Sequence, residues 1–211
     1  MTETKLPATK SNLMRLQSQL DLMNDGYDIL DKKRKALLQQ YYLKIEERNK
    51  VNETVNKSIS TVKKALKRSI ILIGKENVKS IAGSIPIDNS IQLEETKFMQ
   101  TLMYKISFEK SKLQLSYSFD NTNAAFDNAL ILLNDLKEKI YKLAELDTTI
   151  NNLDKEIQNT SKKVNSLEKV QIPKYQRMIK TINADLEEKE REEFSKTKIV
   201  KENKAKKANK L

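Results

Sequence analysis

The chain has 211 residues, enough for one or two ordinary domains, and a formal net charge of +11. Only 3 Gly and 3 Pro punctuate it, there is no Trp, and 33% of its residues are charged. With a mean hydropathy of −0.66, its apolar residues must line stripes on long helices rather than fill a thick core. Cys and His are both missing, which excludes disulfides, thiolate metal sites, and the commonest general base and metal ligand.

The lack of Cys fits a reducing compartment. The opening MTETKLPATK holds no apolar stretch of the signal-peptide kind. The longest apolar runs, 70–73 and 129–133, fall far short of the ~20 residues of a membrane span. The expectation is an intracellular protein, soluble or peripheral.

The first predicted helix covers 9–73. Leu13, Leu16, Leu20, Met23, Tyr27, Leu30, Arg34, Leu37 and Tyr41 alternate by three and four, the seam of a left-handed coiled coil. Ile45 follows Tyr41 by four where three is due, a stutter that unwinds the supercoil locally. Arg48, Asn52, Val55, Ile59, Val62, Leu66, Ser69 and Ile73 then resume the alternation. Asn52 is expected as a buried, register-setting polar residue, and the two arginines as stems lying along the groove. Thr9 or Ser11 caps the start, and Gly74 marks the end.

The middle insert, 74–121, changes period. Tyr104, Ile106 and Phe108 alternate with Lys105 and Ser107, and Leu113, Leu115, Tyr117 and Phe119 alternate with polar residues. Period two predicts half-buried strands and a small β-hairpin. VKSIAGSIPI reads as a weaker strand because Gly83 and Pro86 interrupt it, and a short helix is expected around 94–100.

The second long helix covers 122–203, capped by Asn121 or Asn123. Phe126, Leu130, Leu133, Ile140 and Leu143 open its stripe. Ile150, Leu153, Ile157, Thr160, Val164 and Leu167 continue it, and Met178, Ile182 and Leu186 carry it past Pro173. That proline removes a helical hydrogen bond, costs about 3 kcal/mol, and predicts a helix kink.

Neither helix hides its stripe alone. The predicted fold is mainly α: one elongated domain built as a long antiparallel two-helix coiled coil, with the β-hairpin insert at the end opposite the termini and a basic tail at 204–211. Residues 196–211 hold seven lysines against Glu202. Such a run is either an electrostatic contact surface or a solvated helix end.

Catalytic chemistry is not legible. There is no GxxxxGK[ST], no GxGxxG and no His-based metal spacing. The acidic run LEEKEREE, with Glu187 four before Arg191, is the pattern of a solvated face with i,i+4 ion pairs. No catalytic, cofactor-binding or metal-binding residue is assigned.

TSKKVNSLEKVQIPKYQRMIKTI resembles the characteristic segment of the D subunit of V-type and archaeal A-type rotary ATPases: a basic pair, then Val-Asn-Ala-Leu-Glu, then Ile-Pro. The matching residues are Lys162, Lys163, Val164, Asn165, Leu167, Glu168, Ile172 and Pro173, with Lys where Arg is usual and Ser166 in place of Ala. Two further blocks agree. LEEKEREEFSKTKIVK resembles the family's block near the C-terminus. The stretch from Pro7 to Leu37 resembles its N-terminal block, with Asp31 where Lys is usual. Residues 78–111 match only in character.

The resemblance implies a non-catalytic central rotor shaft without cofactor, on the cytoplasmic side of a membrane-bound complex. It implies a shaft end contacting the ring of A and B subunits through Leu13, Arg15, Leu16, Glu187, Arg191 and Phe194. It further implies a midsection contacting the F subunit through Tyr104, Ile106 and Phe108, and a membrane-rotor adaptor of the C/d type beneath. Neither nucleic acid nor a direct membrane span belongs to that reading. The rival reading is a basic coiled-coil scaffold or nucleic-acid-binding protein. A prefoldin-like chaperone arm is a third, and the helices are too long for it.

Overall fold

The computed structural model describes residues 7–85, 91–108 and 122–208. In chain order the elements are α1 (Lys10–Ile73), α2 (Lys75–Ser84), β1 (Ile91–Phe98), β2 (Thr101–Phe108), α3 (Ala124–Ser166), a π-helical turn (Leu167–Gln171) and α4 (Ile172–Ala208). The chain is mainly helical, with α1 packed on α3 and α4, and a two-stranded antiparallel hairpin between them in sequence.

Helix ends form where the sequence supplies partners for their orphan groups. Thr9 Oγ1 accepts from the Asn12 N–H at 3.3 Å. Asn123 Oδ1 accepts from the Ala125 and Phe126 N–H groups, both at 3.1 Å. Gly74, at φ 91, separates α1 from α2, a conformation that a Cβ disfavours.

The packing forms two compact units, 35–158 and a second made of 1–34 with 159–211. In the 35–158 unit, α1 and α3 run antiparallel. Arg48 meets Asp147, Ser58 meets Lys139, and Ser69 meets Ala125. Val55, Val62 and Leu136 form the core, flanked by Val51, Ile59, Leu132 and Leu143. Leu37, Leu146 and Leu153 are also fully enclosed. In the other unit Leu16, Thr160, Val164 and Ile182 are buried.

All α1 seam residues predicted from spacing are buried or half-buried. Asn52 is half-buried rather than buried. On α3 the predicted Phe126 is buried, but further along the stripe takes a different phase. Leu133 and Ile140 are exposed, while Ala129, Leu136 and Leu146 are buried. The start of α3 is apolar on several faces, so composition there does not select one stripe.

The hairpin pairs Ile91 with Phe108 through Phe98 with Thr101. The helix expected around 94–100 is therefore strand and turn. Conversely, the weak strand expected over VKSIAGSIPI is helical at Lys75–Ser84, with Val78 buried. Both segments are short, and their pairing and packing partners override local preference. The strand expected at Leu113, Leu115, Tyr117 and Phe119 lies outside the described residues.

The hairpin lies back along α3. Glu145 Oε2 accepts from the Ile106 N–H at 3.3 Å, and Asn152 Nδ2 donates to the Leu102 carbonyl at 3.1 Å. These side chains occupy the outer edge of β2, which protects it from pairing elsewhere. The opposite edge is β1, whose residues from Ile91 to Lys97 are all exposed.

Candidate partner surface

Two regions place charged and apolar groups where another molecule can reach them. One is where the α1 start meets α4. Lys10 Nζ lies 3.0 Å from Glu190 Oε1, and Lys189 Nζ donates to the Ala8 carbonyl at 3.2 Å. The Glu190 carboxylate, hydrogen-bonded to the Lys10 ammonium, raises the Lys10 pKa above its ordinary value.

α4 continues from Glu190 to Ala208. That is roughly 27 Å of helix at 1.5 Å per residue. Phe194, Ile199 and Val200 on it are 74%, 57% and 52% exposed. An open groove is lined by Glu187, Glu190, Arg191, Phe194 and Ser195. The ion pairs there, Arg191 with Glu187 at 3.8 Å and Lys196 with Glu192 at 3.4 Å, follow the helix surface. They leave the apolar side chains uncovered.

Of the residues that the resemblance places at the ring-contacting end, Arg15, Glu187, Arg191 and Phe194 are exposed, and Leu13 is half-buried. Leu16 is 2% exposed. It belongs to the core and offers no surface to a partner while the helices are closed, because it is itself a seam residue. In the motif, Lys162, Lys163, Asn165 and Glu168 are exposed, whereas Leu167, Ile172 and Pro173 are half-buried. The π turn at Leu167–Gln171, immediately before Pro173, goes beyond the kink that the proline predicts. Its trace in the sequence is the eleven-residue step from Leu167 to Met178, about 3.67 residues per turn rather than 3.5.

The second region is the polar joint between α1, α3 and the hairpin. Lys142 bonds Glu145 at 2.6 Å and lies 4.0 Å from Glu47, which itself bonds Lys44 at 2.7 Å. Glu145 thus pairs with Lys142 on its own helix and ties β2 to α3. Tyr104 and Ile106 are half-buried; the Phe108 side chain lies outside the described residues. Sequence reasoning missed Glu145 and Asn152, since neither periodicity nor composition marks a helix side chain that caps a strand edge.

Among the described residues no cluster of acidic side chains is arranged to hold a metal, and no helix is long and apolar enough to cross a membrane.

Paired long helices with a side-docked hairpin define a helical coiled-coil protein. Residues 12–202 match the family model of the ATP synthase D subunit. The chain belongs to the ATP synthase D-subunit family. It is similar to the D subunit of the V-type ATP synthase of Thermotoga neapolitana, with 31% identity over 194 residues, spanning 92% of this chain and 96% of that protein. It is also similar to the D subunits of the A-type ATP synthases of Thermococcus sibiricus and Methanopyrus kandleri. Those are 28% and 25% identical, covering 93% and 92% of this chain and 94% and 84% of theirs.

Proposed function

We propose that this chain is the central rotor shaft of a V/A-type ATPase. It couples ATP hydrolysis or synthesis in a ring of A and B subunits to translocation of H⁺ or Na⁺. The α4 end and the α1 start engage the ring, the hairpin and its polar joint engage the F subunit, and an adaptor of the C/d type links the chain to the membrane rotor. The chain itself catalyses nothing and works as a peripheral component on the cytoplasmic side.

The observation that carries this reading is the α4 segment beyond Glu190. A helix with Phe194, Ile199 and Val200 exposed among Lys196, Lys198 and Lys201 loses apolar hydration only when another surface covers it. Family membership supplies the kind of complex in which that surface resides. The kink proposed at Pro173 would make the shaft eccentric, so that each catalytic interface meets a different face.

The test is affinity capture of the tagged chain from its own cells, with and without nuclease. Recovery of ATPase ring subunits unchanged by nuclease is expected. Recovery that disappears with nuclease would instead support the nucleic-acid scaffold. A variant truncated after Glu190 should lose the ring subunits while retaining its hairpin partner.

A further inference from the structure

Three irregularities fall at one level of the unit formed by 1–34 and 159–211. The first is the π turn, where the Ile172 N–H donates to the Leu167 carbonyl five residues back. A π turn inserts a residue into the helical ladder, and such insertions are rare and local. The second is Pro173, which brings no N–H and so no donor to the carbonyls of the turn before it. The third is Gly26, in the interior of α1, where a Cβ would meet nothing within 4 Å.

Facing residues in this unit have numbers that sum to about 197, as for Ala8 with Lys189. Gly26 therefore stands across from the π turn and Pro173. The core is also thin there. No residue of 17–34 and none of 165–181 is buried, although Leu16 and Ile182 just outside these stretches are, at 2% and 5% exposure.

We infer that this level is a hinge shared by α1 and the helical arm that runs through the π turn into α4. Local opening is cheapest where few apolar contacts and weak backbone bonds coincide, and Gly has the least side-chain restraint on its backbone. An irregularity on one helix alone would be splinted by a regular partner. Here both helices are weak at the same height, so bending on one side is not resisted by the other. The inference does not depend on the rotor reading; in a rotor it would fix where the shaft flexes.

Native-state hydrogen exchange on the full chain tests it. Amides of 24–30 and 167–176 should exchange at least tenfold faster than those around Val55, Val62 and Leu136. Gly26→Ala should slow exchange on its own helix and, severalfold, in 167–176 across from it. Pro173→Ala should likewise slow 24–30. Uniform protection along both helices would overturn the hinge. Faster exchange with each substitution acting only on its own helix would overturn the coupling that makes it one device.

Discussion

Arg48 on α1 donates from Nε to Asp147 Oδ1 on α3 at 2.9 Å, joining residues 99 apart in sequence. Together with Ser58–Lys139 and Ser69–Ala125, it sets an antiparallel register in which facing numbers sum to about 197. The same relation holds for Ala8 and Lys189 at the other unit. Leu30 is therefore expected opposite Leu167. The chain has no native Cys, so a Leu30→Cys, Leu167→Cys double variant should oxidise to one intrachain disulfide, which needs Cα atoms about 5.5–6 Å apart. Intermolecular bridging, or bridging of position 30 to positions near 130 or 200, would contradict this register.

Ser69 occupies a seam position and is fully buried. Its hydroxyl lies 3.1 Å from the Ala65 carbonyl and 2.9 Å from that of Ala125, so the two backbones approach closely there. Ser69→Ala is expected to cost about 1 kcal/mol through the lost hydrogen bond. Ser69→Leu should cost more, on the order of 1–3 kcal/mol, from overpacking. Urea melts that rank Leu above Ala in stability would show the contact is looser than the distances imply.

Gly26 and Gly74 should respond to substitution with opposite sign. Gly26→Ala, in open space within a helix, is expected to stabilise by about 0.5–1 kcal/mol. Gly74→Ala, at φ 91, should destabilise by about 1–2 kcal/mol because a Cβ opposes that conformation. Thermal melts of the two variants decide it.

The hairpin turn places Met99 at φ 46 and Gln100 at φ 71. Two-residue turns of this kind favour Asn-Gly. Met99→Asn with Gln100→Gly should stabilise the hairpin by roughly 1–2 kcal/mol. The readout is slower exchange of the β1 and β2 amides; unchanged exchange would mean that docking on α3, not the turn, sets hairpin stability.

The Lys10–Glu190 pair makes a pH prediction. The hydrogen bond to Glu190 raises the Lys10 pKa from 10.5. The pair's contribution is therefore complete below the ordinary lysine pKa and fades as pH rises through the raised value. Glu190→Gln should return the Lys10 titration toward 10.5, followed by NMR of its side chain, and added salt should shrink the difference. An identical titration in both proteins would show the pair is not formed in solution.

Much of the helical architecture was legible from spacing alone. Apart from the stutter at Tyr41–Ile45, the α1 seam follows the three-four pattern from Leu13 to Ile73, because a long helix repeats its preference over many turns and the sum outweighs any single residue. The caps at Thr9, Gly74 and Asn123 were legible because each satisfies a local backbone need. The family was legible in the segment around Pro173, while the exposed Phe194 end took its meaning from that resemblance.

What only the tertiary structure decided lies where local preference is weak or the partner is remote. Lys75–Ser84 is helix and Ile91–Phe98 is strand because Val78 finds a buried site and β1 finds β2. The hairpin rests on α3 because Glu145 and Asn152 satisfy the edge of β2, an arrangement with no periodic trace. Leu133 and Ile140 face solvent because α1 covers Ala129, Leu136 and Leu146 instead. Spacing determines which residues can share a face; only the partner's surface, by burying one face and leaving the others wet, selects which face becomes core.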